Sequence, residues 1–586
     1  MMRTHACGSL NAGHIGQNVT LSGWVHTRRD HGNLIFVDLR DRWGIVQLVF
    51  NPETNPSLHA KAERLRTEFV ICVSGEVRRR PAGTENPKVA TGEVEVATES
   101  LEILNESSTP PFEIAGEGEV SEEIRLKYRF LDLRRSEMQE NLKFRYLLTE
   151  TVRGYLHSLD FLEIETPYLT KSTPEGARDF LVPSRLSPGT FYALPQSPQL
   201  FKQLLMVAGF DRYFQLARCF RDEDLRADRQ PEHTQIDIEM AFVEEEDIMG
   251  VVEGMVVQIF ERLLKRKISQ PFRQIPYEKA IASYGSDKPD LRFEMLLEDV
   301  TEHIKGISFK IFAEAIERGE KIKALVFPTP EGKELSRKDF DEFTRFVQDL
   351  GAKGLVWFRV KREREVESPV AKFFEPERLD RLIKKLGARP GDAIFMIADQ
   401  ETRASLLAGS LRVHLSQFLP APKDAFELCW ITDFPLLEWS EEEKRYLAMH
   451  HPFTSPKEAD TALLETAPEK VKARAYDLVL NGTEIGGGSI RIHRRDVQEK
   501  VFHALKIGSK EAEEKFGFLL KALSYGAPPH GGIALGVDRL VTLLRGKDSI
   551  REVIAFPKTQ KGTCLMTEAP SGVSPQQLKE LRIRGL

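Results

Sequence analysis

The chain has 586 residues, of which 29% are charged and 41% hydrophobic, and its formal net charge is −6, from 83 Lys and Arg against 89 Asp and Glu. This length predicts three or four domains, each large enough to bury a core. No uncharged apolar run approaches the roughly 18 residues of a membrane span, and no apolar stretch follows Met1–His5, so we expect neither a membrane segment nor a secretory signal. Five widely spaced cysteines favour a reducing cytoplasm.

The charge is unevenly distributed along the chain. Residues 1–90 carry 12 Lys and Arg against 8 Asp and Glu, whereas residues 91–124 carry ten Glu and neither Lys nor Arg. A net negative charge argues weakly against a nucleic-acid partner, because such proteins usually present a basic surface. The basic excess of residues 1–90 leaves that partner open for the first segment.

The first hundred residues predict a small β domain. Strands are expected at 19–25, 34–39, 45–50, 69–73 and 94–104, with a short helix at 58–67. Five strands with a helix after the third favour a closed barrel of the OB type, and an ordinary β-sandwich is the alternative. A linker rich in Pro, Gly and Glu is expected at 107–122, and one long amphipathic helix at 121–160.

Beyond the helix, polar motifs are dense in residues 160–287 and again from Phe426 to about Lys558. The strongest motif is Phe214–Glu239, where an apolar strand ends at Arg221, a loop follows, and a second strand places Asp237 and Glu239 on one face. Strands hold polar side chains in fixed positions, which suits a binding site. A salt-bridged hairpin accounts for the same pattern without function.

Two further stretches carry candidate chemistry. Gly526–Leu540 combines a Pro/Gly turn, a strand of small residues, and a helix that opens at Val537 or Asp538 with Arg539 in its first turn. A helix N-terminus and an Arg together favour a phosphate group, although a plain strand–helix turn reads the same way. Phe161–Pro167 is a helix end that runs into a strand, and it is weak evidence alone.

In this order, Phe161–Pro167, Phe214–Glu239 and Gly526–Leu540 resemble motifs 1, 2 and 3 of the class II aminoacyl-tRNA synthetases. Four other stretches resemble the aspartyl-tRNA synthetases, and the segment Tyr284–Asp290 resembles the opening of the bacterial-type insertion. These four stretches are Lys171–Phe180, Gln196–Gln203, Met449–Thr454 and Glu484–Arg491.

The resemblance covers the whole chain and implies a multidomain α+β protein. It has an N-terminal OB-fold barrel and a class II antiparallel catalytic sheet that holds an inserted α+β domain. The implied segments are 1–106 (anticodon-binding barrel), 107–140 (hinge), 141–287 (catalytic, motifs 1 and 2), 288–424 (insertion) and 425–586 (catalytic, motif 3, with a C-terminal extension). The family is also expected to form homodimers through motif 1.

The implied activity is the ligation of L-aspartate to tRNA. ATP activates aspartate to aspartyl-adenylate with release of pyrophosphate, and the aspartyl group then moves to the 3' end of tRNA(Asp). The central residues are Arg221, Arg539 and Glu484, and Mg²⁺ is expected at Asp477 and Glu484. The implied aspartate site is Glu175, Gln199, Lys202, Arg221, Asp237, His450 and Arg491. The implied ATP site is Arg221, Asp222, Glu223, Gln230, His233, Glu484, Gly536, Val537, Asp538 and Arg539.

The chain departs from the family at His233, where members commonly carry a Phe that stacks on adenine. We expect the imidazole ring to keep the stacking role with a weaker apolar contribution. His450 and His451 belong to a loop expected to close over the substrate, where a protonated imidazole would attract a carboxylate.

The barrel is expected to bind the anticodon. Phe36 and Gln47 resemble anticodon-facing positions, and Trp24 and Phe50 are further candidate aromatics. Candidate phosphate contacts of the anticodon site are Arg28, Arg29 and Arg78–Arg80. His31 and Gly83 resemble the relaxed type of the family. That type also charges tRNA(Asn), and an amidotransferase then completes Asn-tRNA. A strictly tRNA(Asp)-specific enzyme is the alternative within the family.

Three rivals come from other classes: an asparagine-forming paralogue, an inactive RNA-binding relative, and a ligase for asparagine or lysine. The barrel argues against the first. Arg221, Arg539 and Glu484 argue against the second, and Arg491 with the insertion argues against the third.

Overall fold

The computed structural model describes residues 2–116, 118–173, 178–223, 228–330, 334–361, 365–420 and 425–583. They fall into two compact units, the first mainly residues 1–145 and 547–572, the second mainly 146–223, 230–546 and 573–583. The five predicted segments divide the chain differently and stay a prediction. None of the helices in the described ranges is long and apolar enough to span a membrane.

The strands and helices are numbered in chain order. The strands are β1 Asn18–His31, β2 Leu34–Asp41, β3 Gly44–Phe50, β4 Val70–Arg79, β5 Val94–Asn105, β6 Leu162–Glu163, β7 Leu181–Pro183, β8 Phe191–Ala193, β9 Arg212–Phe220, β10 Glu232–Ala241, β11 Arg273–Pro276, β12 Leu297–Asp299, β13 Lys321–Phe327, β14 Val356–Val360, β15 Val366–Glu367, β16 Ala393–Asp399, β17 Leu428–Thr432, β18 Leu437–Ser440, β19 Arg445–Ala448, β20 Ala475–Leu480, β21 Thr483–Ile490 and β22 His530–Gly536. The α-helices are α1 Pro56–Ala62, α2 Glu122–Lys127, α3 Arg129–Asp132, α4 Ser136–Ser158, α5 Gln199–Val207, α6 Glu245–Ile259, α7 Tyr277–Tyr284, α8 Thr301–Ile304, α9 Lys310–Glu317, α10 Arg337–Asp349, α11 Pro376–Leu386, α12 Glu401–Ser416, α13 Arg495–Ala504, α14 Ser509–Leu523, α15 Val537–Leu544 and α16 Pro575–Leu581.

The N-terminal strands form a closed barrel in the order β1-β2-β3-β5-β4, in which β3 and β5 pair in parallel and the other pairs are antiparallel. Alternate residues of β1, among them Val19, Leu21 and Val25, are buried inside, because successive side chains of a strand point to opposite faces. Helix α1 follows the third strand, so the predicted OB-type barrel is confirmed and the sandwich alternative is not favoured.

The prediction of one long helix at 121–160 is wrong. Three helices, α2, α3 and α4, occupy this stretch, and the first break lies at Tyr128, whose φ of −105° and ψ of 41° leave the helical region. At the break, the Arg129 guanidinium donates hydrogen bonds of 2.7, 2.8 and 2.9 Å to the carbonyls of Arg551, Ile554 and Ala555. These contacts come from residues more than four hundred positions away. The local apolar periodicity therefore does not reveal the break.

The second unit is built on an eight-stranded sheet with the order β11-β17-β20-β21-β22-β10-β9-β6. The six central strands are antiparallel, and only the edge pairs β11–β17 and β6–β9 are parallel. The antiparallel class II sheet is therefore confirmed, with one parallel pair at each edge. Strands β9, β10, β22 and β21 lie side by side, so residues far apart in sequence share one face.

A separate five-stranded antiparallel sheet, β12-β13-β16-β14-β15, lies in the predicted insertion. Its central strand β16 buries alternate residues in two clusters, Phe395 and Ile397 on one face and Ile394 and Met396 on the other. Helices cover both faces, which explains why the strand reads as an unbroken apolar run. The α+β character expected of the insertion is confirmed.

Candidate active site

Glycines on the central strands leave room for buried charges. In the ladder Glu239 of β10 pairs with Gly532 of β22, and a Cβ on Gly532 would overlap both the Glu239 carboxylate and the Ile238 carbonyl. Only glycine fits at this position, because any side chain would displace the carboxylate. The small residue at this position of Gly526–Leu540 is thus required by the buried Glu239 carboxylate on the neighbouring strand β10.

Four buried ionisable side chains form the centre of the site. The Lys202 Nζ on α5 lies 2.8 Å from Asp237 Oδ1 and 3.2 Å from Glu239 Oε2. Arg491 donates to both carboxylate oxygens of Glu239, at 3.0 and 3.2 Å. All four residues are at most 5% exposed, and their formal charges cancel. We call Lys202, Asp237, Glu239 and Arg491 the charge cluster.

The two carboxylates of the charge cluster differ in their pKa. Burial alone would raise the pKa of Glu239, but Arg491 and Lys202 outweigh it and lower the value. Burial dominates at Asp237 and raises its pKa although Lys202 lies against it. Oδ2 of Asp237 is buried and has no hydrogen-bond partner among the described residues. This atom is therefore suited to accept a hydrogen bond from a ligand cation.

The adjacent histidines behave differently. Burial, with Arg491 and Lys202 nearby, lowers the pKa of His451 to about 3, so its ring is neutral at pH 7. Burial also opposes protonation of His450, but the Asp477 carboxylate, 3.2 Å from its Nε2, raises its pKa. The raised pKa of His450 favours the protonated imidazole expected on this loop, whereas the His451 ring is neutral.

Two carboxylates converge over Gly487. A Cβ at this glycine would lie 2.6 Å from Asp477 Oδ1 and 3.7 Å from Glu484 Oε1. Lys288 Nζ is 2.9 Å from Glu484 Oε2, and His450 pairs with Asp477. Burial raises the pKa of Asp477 despite His450, whereas Lys288 overcomes burial and lowers the pKa of Glu484.

These carboxylates suit Mg²⁺, which proteins usually hold through one or two carboxylates together with substrate phosphates and water. Within the described ranges, no group of three or more His, Cys, Asp or Glu residues could hold a metal alone. The pair therefore fits a metal that arrives with a phosphate-bearing substrate, and it does not fit a permanent protein-only site.

The predicted nucleotide residues lie on the same sheet. Arg539, in the first turn of α15, donates through Nη1 to the Glu484 carbonyl at 2.6 Å. Asp538 Oδ2 accepts the Thr234 N–H at 3.1 Å, which ties α15 to β10. Arg221 N–H donates to the Pro231 carbonyl at 2.8 Å and fixes the backbone where the hairpin loop begins. Motifs 2 and 3 thus meet along the ladder between β10 and β22 and through the contact between Thr234 and Asp538.

His233 lies on β10 opposite Cys219 of β9. Burial, together with the nearby Arg221, lowers the pKa of His233 to about 4. The ring is therefore neutral at pH 7 and can stack on a base without bringing a charge.

The structure assembles most of the predicted site residues. Gln199, Lys202, Asp237 and Arg491 belong to one buried region of α5, β10 and the end of β21, and Glu175 lies outside the described residues. Asp222 lies on an isolated bridge with Arg178, and Glu223 Oε1 is 3.9 Å from Arg221 Nη1. Gln230 is buried, and Gly536 and Val537 form the junction of β22 and α15.

Sequence reasoning did not assign several residues that the structure brings into the site. Glu239 lies two residues after Asp237, and this spacing places both carboxylates on the same face of β10. Gln203 follows Gln199 by one helical turn, and this spacing indicates that the two side chains are neighbours on one helix face. The sequence does not indicate the contacts of Lys288 and His530, because their partners Glu484 and Gln203 lie far away in the chain. These unassigned residues are Lys288, Gln203, Glu239, His530 and Ser489, whose Oγ accepts from Arg491 Nη1 at 2.6 Å.

The barrel residues are placed as follows. Gln47 donates to Glu95 Oε2 at 2.9 Å and accepts from Arg29 Nη2 at 3.3 Å. Arg28 pairs with Asp30 at 2.8 Å, and Phe36 is half-buried opposite Arg29 in the ladder. These positions leave the anticodon role of Arg28, Phe36 and Gln47 a prediction.

Two expectations for the barrel are wrong. Phe50 is fully buried in the barrel core, because it ends β3 on the inward face, so it is not available for stacking. Arg80 is buried and donates through Nε to the Val94 carbonyl at 3.1 Å, so it is not a free phosphate contact. Trp24 is partly covered by the Arg134 guanidinium, whose carbon is 5.2 Å from the ring centre.

The two candidate discrimination positions are open. His31 is exposed at the end of β1. Gly83 has a φ of +84°, and no atom lies within 4 Å of the Cβ that a side chain would add. A larger residue at Gly83 has space but strains the backbone, because positive φ disfavours side chains.

The sequence model of the family described as "tRNA synthetases class II (D, K and N)" matches residues 121–560, and that of the "OB-fold nucleic acid binding domain" matches residues 19–104. The first match covers most of the chain. Together with the antiparallel sheet and the motif 2 and 3 contacts, it shows that the chain belongs to the class II tRNA synthetases of this family.

Similar curated proteins carry names that state a particular ligase activity. The chain is 54% identical over 583 residues to "Aspartate--tRNA(Asp/Asn) ligase" of Syntrophotalea carbinolica, covering 99% of this chain and 98% of the relative. It is 55% identical to the protein of the same name from Moorella thermoacetica, covering 99% and 96%. The Aquifex aeolicus protein of that name is 54% identical, with 100% and 98% covered.

Solved structures show the same fold. Asparaginyl-tRNA synthetase from Pyrococcus horikoshii, complexed with asparaginyl-adenylate, matches with a TM-score of 0.60 at 21% identity, covering 95% of this chain and 99% of that one.

Proposed function

We propose that the protein is an aspartate–tRNA ligase that activates L-aspartate with ATP and charges both tRNA(Asp) and tRNA(Asn). The observation that carries the proposal is the full-length identity of 54–55% to relatives named for that activity. The charge cluster supports it, because a bidentate guanidinium beside a lysine is what recognition of a side-chain carboxylate requires.

Aspartate binding uses both signs of charge in the cluster. The Arg491 guanidinium and the Lys202 ammonium face the substrate's side-chain carboxylate, while Asp237 Oδ2 and the Gln199 amide accept from its ammonium. Glu239 holds Arg491 in one orientation through its two hydrogen bonds. Asparagine brings no anion to the two cations, and a site built for a charge–charge contact rejects such an analogue strongly.

The activation step is an in-line displacement at the α-phosphate. An oxygen of the aspartate α-carboxylate forms a bond to phosphorus, and the bond to the pyrophosphate oxygen breaks. Arg221 neutralises charge between the carboxylate and the α-phosphate, and Arg539 neutralises charge on the γ-phosphate; no protein nucleophile is needed. Mg²⁺, held by Asp477 and Glu484, supplies Lewis-acid neutralisation of the phosphates when it is bound.

During this step, His233 stacks on the adenine as a neutral ring, and Glu223, Gln230 and Asp222 border the same nucleotide. The fixed backbone of Gly536 and Val537 presents the start of α15 to the phosphates. In the second step, the terminal 3'-hydroxyl of tRNA attacks the acyl carbon of the adenylate, and AMP leaves.

The barrel reads the anticodon. Arg28, Phe36 and Gln47 contact it, and the combination of His31 and Gly83 leaves enough tolerance for the anticodon of tRNA(Asn). A strictly tRNA(Asp)-specific enzyme is not favoured. Aspartate on tRNA(Asn) must then be converted by an amidotransferase, so we infer a functional link to one.

The remaining proposals follow from this function. The enzyme works in the cytoplasm, where tRNA is charged, and its chain divides into the five segments given above. It forms a homodimer through motif 1, near which Leu162, Tyr168 and Leu169 are apolar and exposed. Exposed apolar residues in one segment are typical of a protein interface.

The test is aspartate-dependent exchange between ATP and labelled pyrophosphate. The wild-type enzyme should catalyse exchange with aspartate and not with asparagine or lysine. Arg491→Leu should abolish it, whereas Arg495→Leu, which removes an exposed ion pair with Glu499, should leave it unchanged. Exchange with asparagine in place of aspartate would contradict the proposal.

A further inference from the structure

A chain of buried polar groups lies behind the aspartate site and contains two residues that the chemistry above does not use. Gln199 Nε2 donates to Gln203 Oε1 at 3.2 Å, and Gln203 Nε2 is 3.2 Å from His530 Nε2. His530 Nδ1 is 2.7 Å from the Pro528 carbonyl oxygen. Gln203 and His530 are fully buried, and Gln199 is 7% exposed.

The direction of every hydrogen bond in this chain is fixed at the Pro528 end. A carbonyl oxygen can only accept, so His530 Nδ1 must carry its proton. Burial lowers the pKa of His530, so the ring is neutral and Nε2 is an acceptor. The Gln203 amide must then turn its NH₂ toward His530 and its oxygen toward Gln199.

The same reasoning carries on to Gln199. Its NH₂ must face the Gln203 oxygen, because the opposite orientation would bring two oxygens together. Oε1 of Gln199 therefore points away from Gln203, and none of the residues that the structure describes donates a hydrogen bond to it. An amide alone can rotate by 180° and offer either end; this one is held with its acceptor outward.

We propose that Gln203 and His530 are positioning residues that hold the Gln199 amide with its oxygen toward the ammonium group of the amino-acid substrate. The inference rests on the proposed function, since it takes aspartate as the ligand. It also gives a role to His530, a fully buried histidine at the start of β22. His530 acts through Gln203, and its backbone carbonyl accepts from the Arg491 N–H at 2.8 Å.

We call Gln199, Gln203 and His530, with their hydrogen bonds, the relay. It predicts an unusual order of aspartate affinity among variants of Gln203. Gln203→Met keeps the volume but removes the acceptor, so Gln199 can turn its NH₂ toward the ammonium. Gln203→Glu keeps an acceptor for Gln199 Nε2 and can pair with a protonated His530. If Gln203 only filled space, the apolar Met would be tolerated better than a buried carboxylate. If it orients Gln199, Glu will be tolerated better than Met.

The experiment measures aspartate and succinate binding by calorimetry, together with the KM for aspartate and for ATP in pyrophosphate exchange. Gln203→Met should weaken aspartate binding roughly 10-fold, the usual effect of unpairing one buried polar group. Binding of succinate, which lacks the ammonium, and the KM for ATP should change less than twofold. Gln203→Glu should recover most of the aspartate affinity.

A double-mutant cycle with Gln199→Leu and Gln203→Met avoids the charge that Gln203→Glu adds. With Gln199→Leu already present, Gln203→Met should cause no further loss of aspartate affinity, because there is no amide left to orient. Additive losses, equal losses for aspartate and succinate, or a Glu variant weaker than the Met variant would overturn the relay. If Gln203→Met does not fold, His530→Phe replaces it in the same comparison. Failure of the proposed function is distinct, because the wild-type enzyme would then bind no aspartate.

Discussion

Glu239→Gln tests whether the charge cluster depends on its buried carboxylate. The change keeps the shape of the side chain and removes one negative charge from a site in which two cations face two anions. Glu239 is fully buried, accepts 3.0 and 3.2 Å hydrogen bonds from Arg491, and lies 3.2 Å from Lys202. The variant leaves the two cations with Asp237 as their only carboxylate partner within the cluster.

The expected cost can be worked out from this geometry. Removing one partner of a buried ion pair costs about 3–5 kcal/mol, and the glutamine oxygen still accepts one hydrogen bond, so we expect about 3 kcal/mol less unfolding free energy at pH 7. The matched control is Glu253→Gln. Glu253 is also buried, but among the described residues its Oε1 accepts only from Phe272 N and Trp430 Nε1, at 3.0 and 2.9 Å. A glutamine retains that oxygen, so the control should cost about 1 kcal/mol or less.

The pH dependence follows from the sign of the Glu239 pKa shift. The pKa is lower in the folded protein than its ordinary value of 4.5, so the stabilisation is complete above that value. It is lost as the pH falls through the folded pKa. Urea unfolding at pH 7 and below pH 4 should therefore show a gap between wild type and variant that narrows in acid. A variant as stable as the Glu253→Gln control, or a gap independent of pH, would refute the reasoning.

Three further predictions concern nucleotide, metal and tRNA binding. His233→Phe should lower the KM for ATP, and the wild-type KM should not change between pH 6 and 8 through this ring, whose pKa is about 4; an unchanged or raised KM in the variant would count against stacking. Gly487→Ala should lower kcat at limiting Mg²⁺, because the new Cβ would lie 2.6 Å from Asp477 Oδ1, whereas Gly250→Ala, with no atom within 4 Å, should not. His31→Leu with Gly83→Lys should shift charging toward tRNA(Asp), and Gly83→Lys alone should destabilise the barrel by about 1 kcal/mol owing to its positive φ; an unchanged charging ratio would argue against the assignment.

The sequence predicted the barrel well because its strands alternate between buried and exposed residues, a pattern that depends only on neighbours. The resemblance predicted the catalytic sheet. The spacing of Asp237 and Glu239 separately placed both side chains on one face of a strand. The helix prediction failed at Tyr128, where a helical pattern continues through a break whose partners lie in residues 551–555. Periodicity records which face is apolar and does not record where a backbone ends its helix.

The site shows the same division. The resemblance implies Arg491 and Lys202 as the cations of the aspartate site, and the structure shows that Asp237 and Glu239 neutralise them. The site is therefore a balanced cluster in which Asp237 Oδ2 has no hydrogen-bond partner among the described residues. The neutral state of His451 could not be predicted, because burial and the nearby Arg491 and Lys202 set its pKa. Phe50 follows Val46 and Leu48 on the inward face of β3, so strand alternation already indicates that it is buried. Arg80 follows β4 directly, and its hydrogen bond to the Val94 carbonyl depends on a strand that the local sequence does not show.

The central claim is that one enzyme places aspartate on two tRNAs, and the direct measurement is charging of purified tRNA(Asp) and tRNA(Asn) with labelled aspartate by the wild-type protein. We predict that both tRNAs accept aspartate and that neither accepts asparagine. Aspartylation of tRNA(Asp) alone, with tRNA(Asn) uncharged under the same conditions, would contradict the claim.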